Sequence, residues 1–113
     1  MALATSDSGT QLAVIDTEHT LETNAGVKSF MAYVNLTNLV AGDRVVIRVK
    51  IKVLTGGALV TFVEDVIWGD DIVGKSLEPG WYCPPIPSMF QYDLTLEQTD
   101  GTGRNFEWSV LEV

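Results

Sequence analysis

The sequence predicts an all-β fold, a single-domain antiparallel β-sandwich of about eight strands with a jelly-roll-like character. Three observations carry this. Apolar and polar residues alternate with period two along most of the chain, turn-forming residues interrupt the alternation at short intervals, and no stretch sustains the i, i+3, i+4, i+7 spacing of an amphipathic helix.

The alternation is clearest from Asp43 to Leu54, where Val45, Ile47, Val49, Ile51 and Val53 point one way and Val46, Arg48, Lys50 and Lys52 the other. It recurs from Met89 to Gln98 through Phe90, Tyr92, Leu94 and Leu96, around Phe106, Trp108 and Val110, and from Lys28 to Leu36 through Phe30, Ala32 and Val34. Shorter β-rich stretches at Thr10–Ile15, Glu18–Thr23, Leu59–Trp68 and Ile72–Leu77 complete the set. Hairpin corners are expected at Asn24-Ala25-Gly26, Ala41-Gly42-Asp43, Thr55-Gly56-Gly57, Gly69-Asp70-Asp71 and Asp100-Gly101-Thr102-Gly103, which supply residues that tolerate positive φ. The run Glu78–Ser88 holds all four prolines, which exclude it from a sheet interior, and it reads as an ordered loop. Residues 1–9 are small and polar and read as a flexible N-terminal arm ahead of a sandwich domain over 10–113. Strand order is not fixed by these patterns.

With 113 residues and 46 % hydrophobic side chains, one domain with a sizeable core is expected, without help from disulfides or metal. No apolar run approaches the roughly 20 residues that span a bilayer, so no membrane partner is expected. The first residues lack the basic and apolar regions of a secretory signal, which points to synthesis in the cytoplasm. Cys83 and His19 are the single cysteine and histidine, too few for structural zinc or for an intrachain disulfide, and no cofactor is implied. The net charge of −8 falls on the second half of the chain. Residues 1–54 balance five basic against five acidic side chains, whereas 55–113 hold two basic and ten acidic ones. Such a surface repels phosphate backbones, so nucleic acid is not an expected partner.

Catalytic readings find little purchase. His19 lacks a neighbouring nucleophile-elbow pattern, and Cys83 between Tyr82 and Pro84 has no basic neighbour to lower its pKa. The acidic pairs Glu64-Asp65 and Asp70-Asp71 match no calcium-loop spacing and read as solvated turn and rim charge. Asn35-Leu36-Thr37 is a formal glycosylation sequon that matters only in a secretory pathway. Two features suit binding. Arg48, Lys50 and Lys52 form a basic stripe fit for an acidic partner, or equally for cross-strand pairing with Asp93, Glu97 or Glu64. Trp68, Trp81 and Tyr82 flank the proline-rich segment, where they suit an interface anchor and equally a plug over the open end of the sandwich.

Four stretches stand together in order: Glu18-His19-Thr20-Leu21, the Ala41-Gly42-Asp43 turn leading into Val45–Lys52, Lys52-Val53-Leu54-Thr55-Gly56-Gly57, and the long stretch from Leu96 through Asp100-Gly101-Thr102-Gly103-Arg104 to Leu111. They resemble a family of small virion proteins encoded in tailed-phage and metagenomic viral genomes. Together they cover about half the chain in the family's order, and the last is the most specific. At Trp68–Pro87 a segment rich in Gly, Pro and aromatics departs from the pattern. The resemblance implies a β-sandwich component of a bacteriophage virion and supplies no catalytic motif. Proteins of this size commonly act as capsid decoration, or cement, proteins, so the expected role is non-enzymatic binding of the major capsid protein on the outer shell. A dimer or trimer would strengthen such binding. A head-fibre, neck or tail component, and a carbohydrate-binding β-sandwich module using Trp68, Trp81 or Tyr82, are the competing readings.

Overall fold

A computed structural model of the chain describes residues 4–72 and 80–112. Its elements run β1 (Ala4–Leu12), β2 (Glu18–Ala25), β3 (Lys28–Asn35), β4 (Arg44–Lys52), β5 (Leu59–Trp68), the helical turn α1 (Gly69–Ile72), β6 (Gly80–Ser88), β7 (Gln91–Asp100) and β8 (Asn105–Glu112). They form two packed four-stranded sheets, ordered β1-β8-β3-β6 and β2-β7-β4-β5, antiparallel at every pairing. The order has a simple origin. β4 pairs with β5, β3 with β6, β2 with β7 and β1 with β8, so the chain is one long hairpin whose two ends meet at Ala4 and Glu112. Rolling that ribbon brings β8 beside β3 and β7 beside β4, which gives the jelly roll.

The alternation of the sequence is realised in the core. Val45, Ile47 and Val49 of β4 face inward with Tyr92, Leu94 and Leu96 of β7, against Phe30 and Val34 of β3 and Phe106 and Val110 of β8. Phe30 and Tyr92, one from each sheet, stack with ring centroids 3.8 Å apart and planes 9° from parallel. Burying a side chain of that size contributes about 2–3 kcal/mol. Three of the expected corners carry the positive φ that favours glycine, at Gly26, Gly42 and Gly101.

Three expectations are corrected. β1 begins at Ala4, six residues ahead of Thr10, and residues 4–9 of the supposed arm pair along β8 as far as Ala4 opposite Glu112. Its sequence, rich in Ser and Thr with no apolar alternation, hides a strand that β8's backbone dictates. The proline-rich loop is largely β6, on the edge of its sheet. An edge strand can spare outward N–H groups. Pro84 and Pro85 fall within a register shift, because Ala32 pairs with Cys83 and Phe30 with Ile86. The strand expected at Ile72–Leu77 is not found at its start, since Ile72 ends α1; residues 73–77 lie outside the described residues, as do residues 1–3 of the arm.

Candidate functional site

The basic stripe lies on the outer face of β4, flanked by β5 and β7. The register sets Arg48 opposite Glu64 on one side and Thr95 on the other, two residues from Glu97. Its guanidinium reaches Glu18 at 2.9 Å, Glu97 at 3.1 Å and Glu64 at 3.3 Å, and Lys50 reaches the other Glu18 oxygen at 2.9 Å. Glu18 also accepts the Thr95 hydroxyl at 2.8 Å. Burial pushes the Glu18 carboxyl up, but the bonds from Lys50, Thr95 and Arg48 together outweigh it and hold it below the usual carboxylate range. Burial likewise lowers the Arg48 pKa, and its three carboxylate partners more than reverse that. The charge of Arg48 and Lys50 is therefore consumed by cross-strand pairing. Asp93 takes no part in it, accepting instead from Thr23 and Gln91. Lys52 alone of the three has no ion pair among the described residues.

The aromatic trio does not converge. Trp81 is only 8 % exposed, and its indole N–H donates to the Asp65 carboxylate of β5 at 2.6 Å, tying the edge of one sheet to the edge of the other. It closes the side of the sandwich, as a plug does. Trp68 lies at the end of β5 on the outer face of the other sheet, with the Arg44 guanidinium 5.4 Å from its ring centroid. Tyr82 is 67 % exposed on the outer face of β6. Its companion there is a residue that the sequence reading passed over. Tyr33 of β3 is directly opposite in register, 48 % exposed, with ring centroids 6.2 Å apart and planes 29° from parallel. A signal for it existed. The alternation that turns Phe30, Ala32 and Val34 inward turns Tyr33 outward, where a large aromatic has no core to fill.

Tyr33 and Tyr82 border an open cleft of about 520 Å³, whose lining also includes Asn35, Thr37 and Trp81. Asn35 is held in place. Its amide donates to Glu107 of β8 at 2.9 Å, and its carbonyl accepts the Thr37 N–H at 2.9 Å and the Thr37 hydroxyl.

A second exposed surface follows the free edge of the other sheet. Val60, Phe62, Val66 and Trp68 of β5 are exposed, and the connection before β5 adds Val53 and Leu54, the latter 70 % exposed. Phe62 projects because the register skips it, Val49 pairing with Val63 and Lys50 with Thr61.

The remaining candidates have structural roles. His19 Nε2 accepts the Val14 N–H at 3.0 Å, and Gln11 lies 3.3 Å from Nδ1, so the ring braces the turn between β1 and β2. Cys83 is buried, and burial pushes its thiol up, away from reactivity. Asp65 holds Trp81, and Asp70 accepts the Gly42 N–H at 3.0 Å. No group of three or more metal-ligating side chains occurs among the described residues. No helix among them is long and apolar enough to cross a membrane.

Two of the stretches that carry the family resemblance, the Ala41-Gly42-Asp43 turn and the one from Leu96 to Leu111, meet in one polar lock. Asp43, 1 % exposed, accepts Arg104 Nε at 2.9 Å and the Val40 N–H at 3.0 Å. Gln98, fully buried, donates to the Asp100 and Thr102 carbonyls at 3.0 and 2.9 Å and accepts the Arg104 N–H at 3.0 Å. This end of the sandwich is rigid scaffolding. No family model, curated protein or solved structure matches the chain.

Proposed function

We propose that this chain is a non-enzymatic bacteriophage capsid decoration protein, binding the major capsid protein on the outer surface of the virion across neighbouring capsomers. The observation that carries the reading is the apolar border of β5, where Leu54, Val60, Phe62, Val66 and Trp68 stay exposed beside charged neighbours already paired among themselves. Exposed apolar side chains along an edge strand of a folded domain suit a protein contact. A protein that binds the assembled shell and not the free subunits stabilises the shell by mass action. Weak contacts then suffice, because they repeat at every local symmetry axis, and a dimer or trimer gains further through effective concentration.

Co-sedimentation of the purified protein with expanded capsids lacking it, followed by electron microscopy of the pellets, tests this reading. Saturable added density at repeated shell positions is expected, with about tenfold weaker binding for the Leu54→Ser, Phe62→Ser double variant. Density confined to the neck or tail of intact virions would replace the decoration role with a neck or tail role.

A further inference from the structure

We infer that the outer face of the β1-β8-β3-β6 sheet carries a binding site for a neutral saccharide, centred on Tyr33 and Tyr82. The inference is independent of the capsid reading, because the β5 border belongs to the other sheet.

Several observations select this ligand class. Both tyrosines are exposed and neighbouring across β3 and β6, so their rings form a shallow platform and not a deep hole. A pyranose ring presents a flat C–H face to such a platform while its hydroxyls point sideways. The cleft beside the rings, about 520 Å³, falls within the roughly 300–1,000 Å³ typical of small-ligand sites.

The rim supplies the hydrogen bonds that sideways hydroxyls require. Neither phenol hydroxyl has a partner among the described residues. Glu107, Asn35 and Thr37 form a linked polar row beside the rings, and of the Glu107 carboxylate only Oε1 is engaged by Asn35. Ser109 is opposite Tyr33 on β8, on the same face. A fixed amide and a carboxylate with a free oxygen suit the alternating donors and acceptors of a sugar edge.

Charge argues against the anionic alternatives. Among the described residues no lysine or arginine lines the cleft, Glu107 stands at its side, and the chain carries a net charge of −8, so sulfated or uronic glycans and phosphates are disfavoured. The prolines limit the addition of a peptide strand. Along β6, Pro84, Pro85 and Pro87 offer no N–H to an added strand, so regular β-pairing on this edge is confined to the short Gly80–Cys83 half. What remains is a neutral ligand with apolar faces and a hydroxylated rim.

The test is titration calorimetry of the full chain with neutral hexasaccharides of glucose, galactose and mannose, with heparin hexasaccharide as the anionic control. Saturable binding to at least one neutral hexasaccharide is expected, weakened about tenfold or more by Tyr82→Ala and by Tyr33→Ala, retained by Tyr82→Trp, and untouched by Trp68→Ala. Thermal melts confirm that each variant is folded. No binding to any neutral hexasaccharide, binding that survives both alanine substitutions, or preference for heparin would overturn the assignment. Sedimentation velocity without sugar adds a further check, since self-association lost in Tyr82→Ala would assign the platform to a second copy of the chain and refute the saccharide site.

Discussion

Gln98 has no exposed surface, yet all three of its side-chain bonds go to the backbone of the turn that follows β7. It stands on the inward parity of Tyr92, Leu94 and Leu96, so the alternation predicts its burial but not why a polar residue is there. The reason is that the Asp100–Arg104 turn needs interior partners for its carbonyls and N–H. Replacing Gln98 with Leu keeps the volume and strands three backbone groups, so urea unfolding should show a loss of about 3 kcal/mol with unchanged slope. Gly101 belongs to the same lock. At φ 93° it has a left-handed backbone, and a Cβ there would meet Asp43 Oδ1 at 1.9 Å. Glu18 gives a prediction in pH. Its folded pKa is depressed below the ordinary carboxylate value of 4.5, so its contribution is complete above that value and is lost as pH falls through the lower folded one. Glu18→Gln should therefore cost about 1 kcal/mol at pH 7, and the gap to the parent should close as pH falls through the carboxylate range. A constant gap across that range would sink the network account.

At the scale of elements, the strands legible in the sequence are those whose two faces differ. β4 and β7 each bury one face and leave charged or polar groups on the other, and both were foreseen with nearly their observed bounds. β1 and β6 lack that contrast for opposite reasons. β1 has almost no apolar residues, and β6 has three prolines; both are edge strands, specified by the neighbour they pair with more than by their own sequence. The described strands number eight, as expected, because β6 adds one where a loop is expected, while residues 73–77 of the strand expected at 72–77 lie outside the described residues. The same distinction affected the site. Tyr82 was singled out for its place beside prolines, but its partner Tyr33 is joined to it only by the β3–β6 pairing, which the prolines seemed to forbid. Deleting residues 1–9 discriminates an arm from a strand. An arm would leave the melting temperature unchanged. Loss of the six described β1 positions Ala4–Gly9 removes five of the eight pairings between β1 and β8, and a fall of about 10 °C or more is expected by circular dichroism.

The whole molecule is one rolled hairpin, and its order of assembly follows from loop entropy. At the tip, Lys52 of β4 is opposite Leu59 of β5, a closure of few residues, whereas β1 and β8 join Ala4 to Glu112 across the entire chain. The inner pairs form at lower entropic cost and shorten the distance for the outer ones, so the ribbon is expected to zip from tip to ends while it rolls. With most pairings non-local, refolding should take milliseconds to seconds, not microseconds. Val49 of β4 and Val110 of β8 are both fully buried and belong to the same core, so truncating either to alanine should destabilise the fold by about 2 kcal/mol, enough for reliable kinetics. The two variants should nevertheless divide that loss differently. Val49→Ala should mainly slow refolding, because its neighbours are assembled in the transition state, and Val110→Ala should mainly speed unfolding, because β8 docks late. Stopped-flow chevrons decide the matter: the reverse partition would place nucleation at the chain ends, and equal partition would mean the roll closes in one step with no tip to start from.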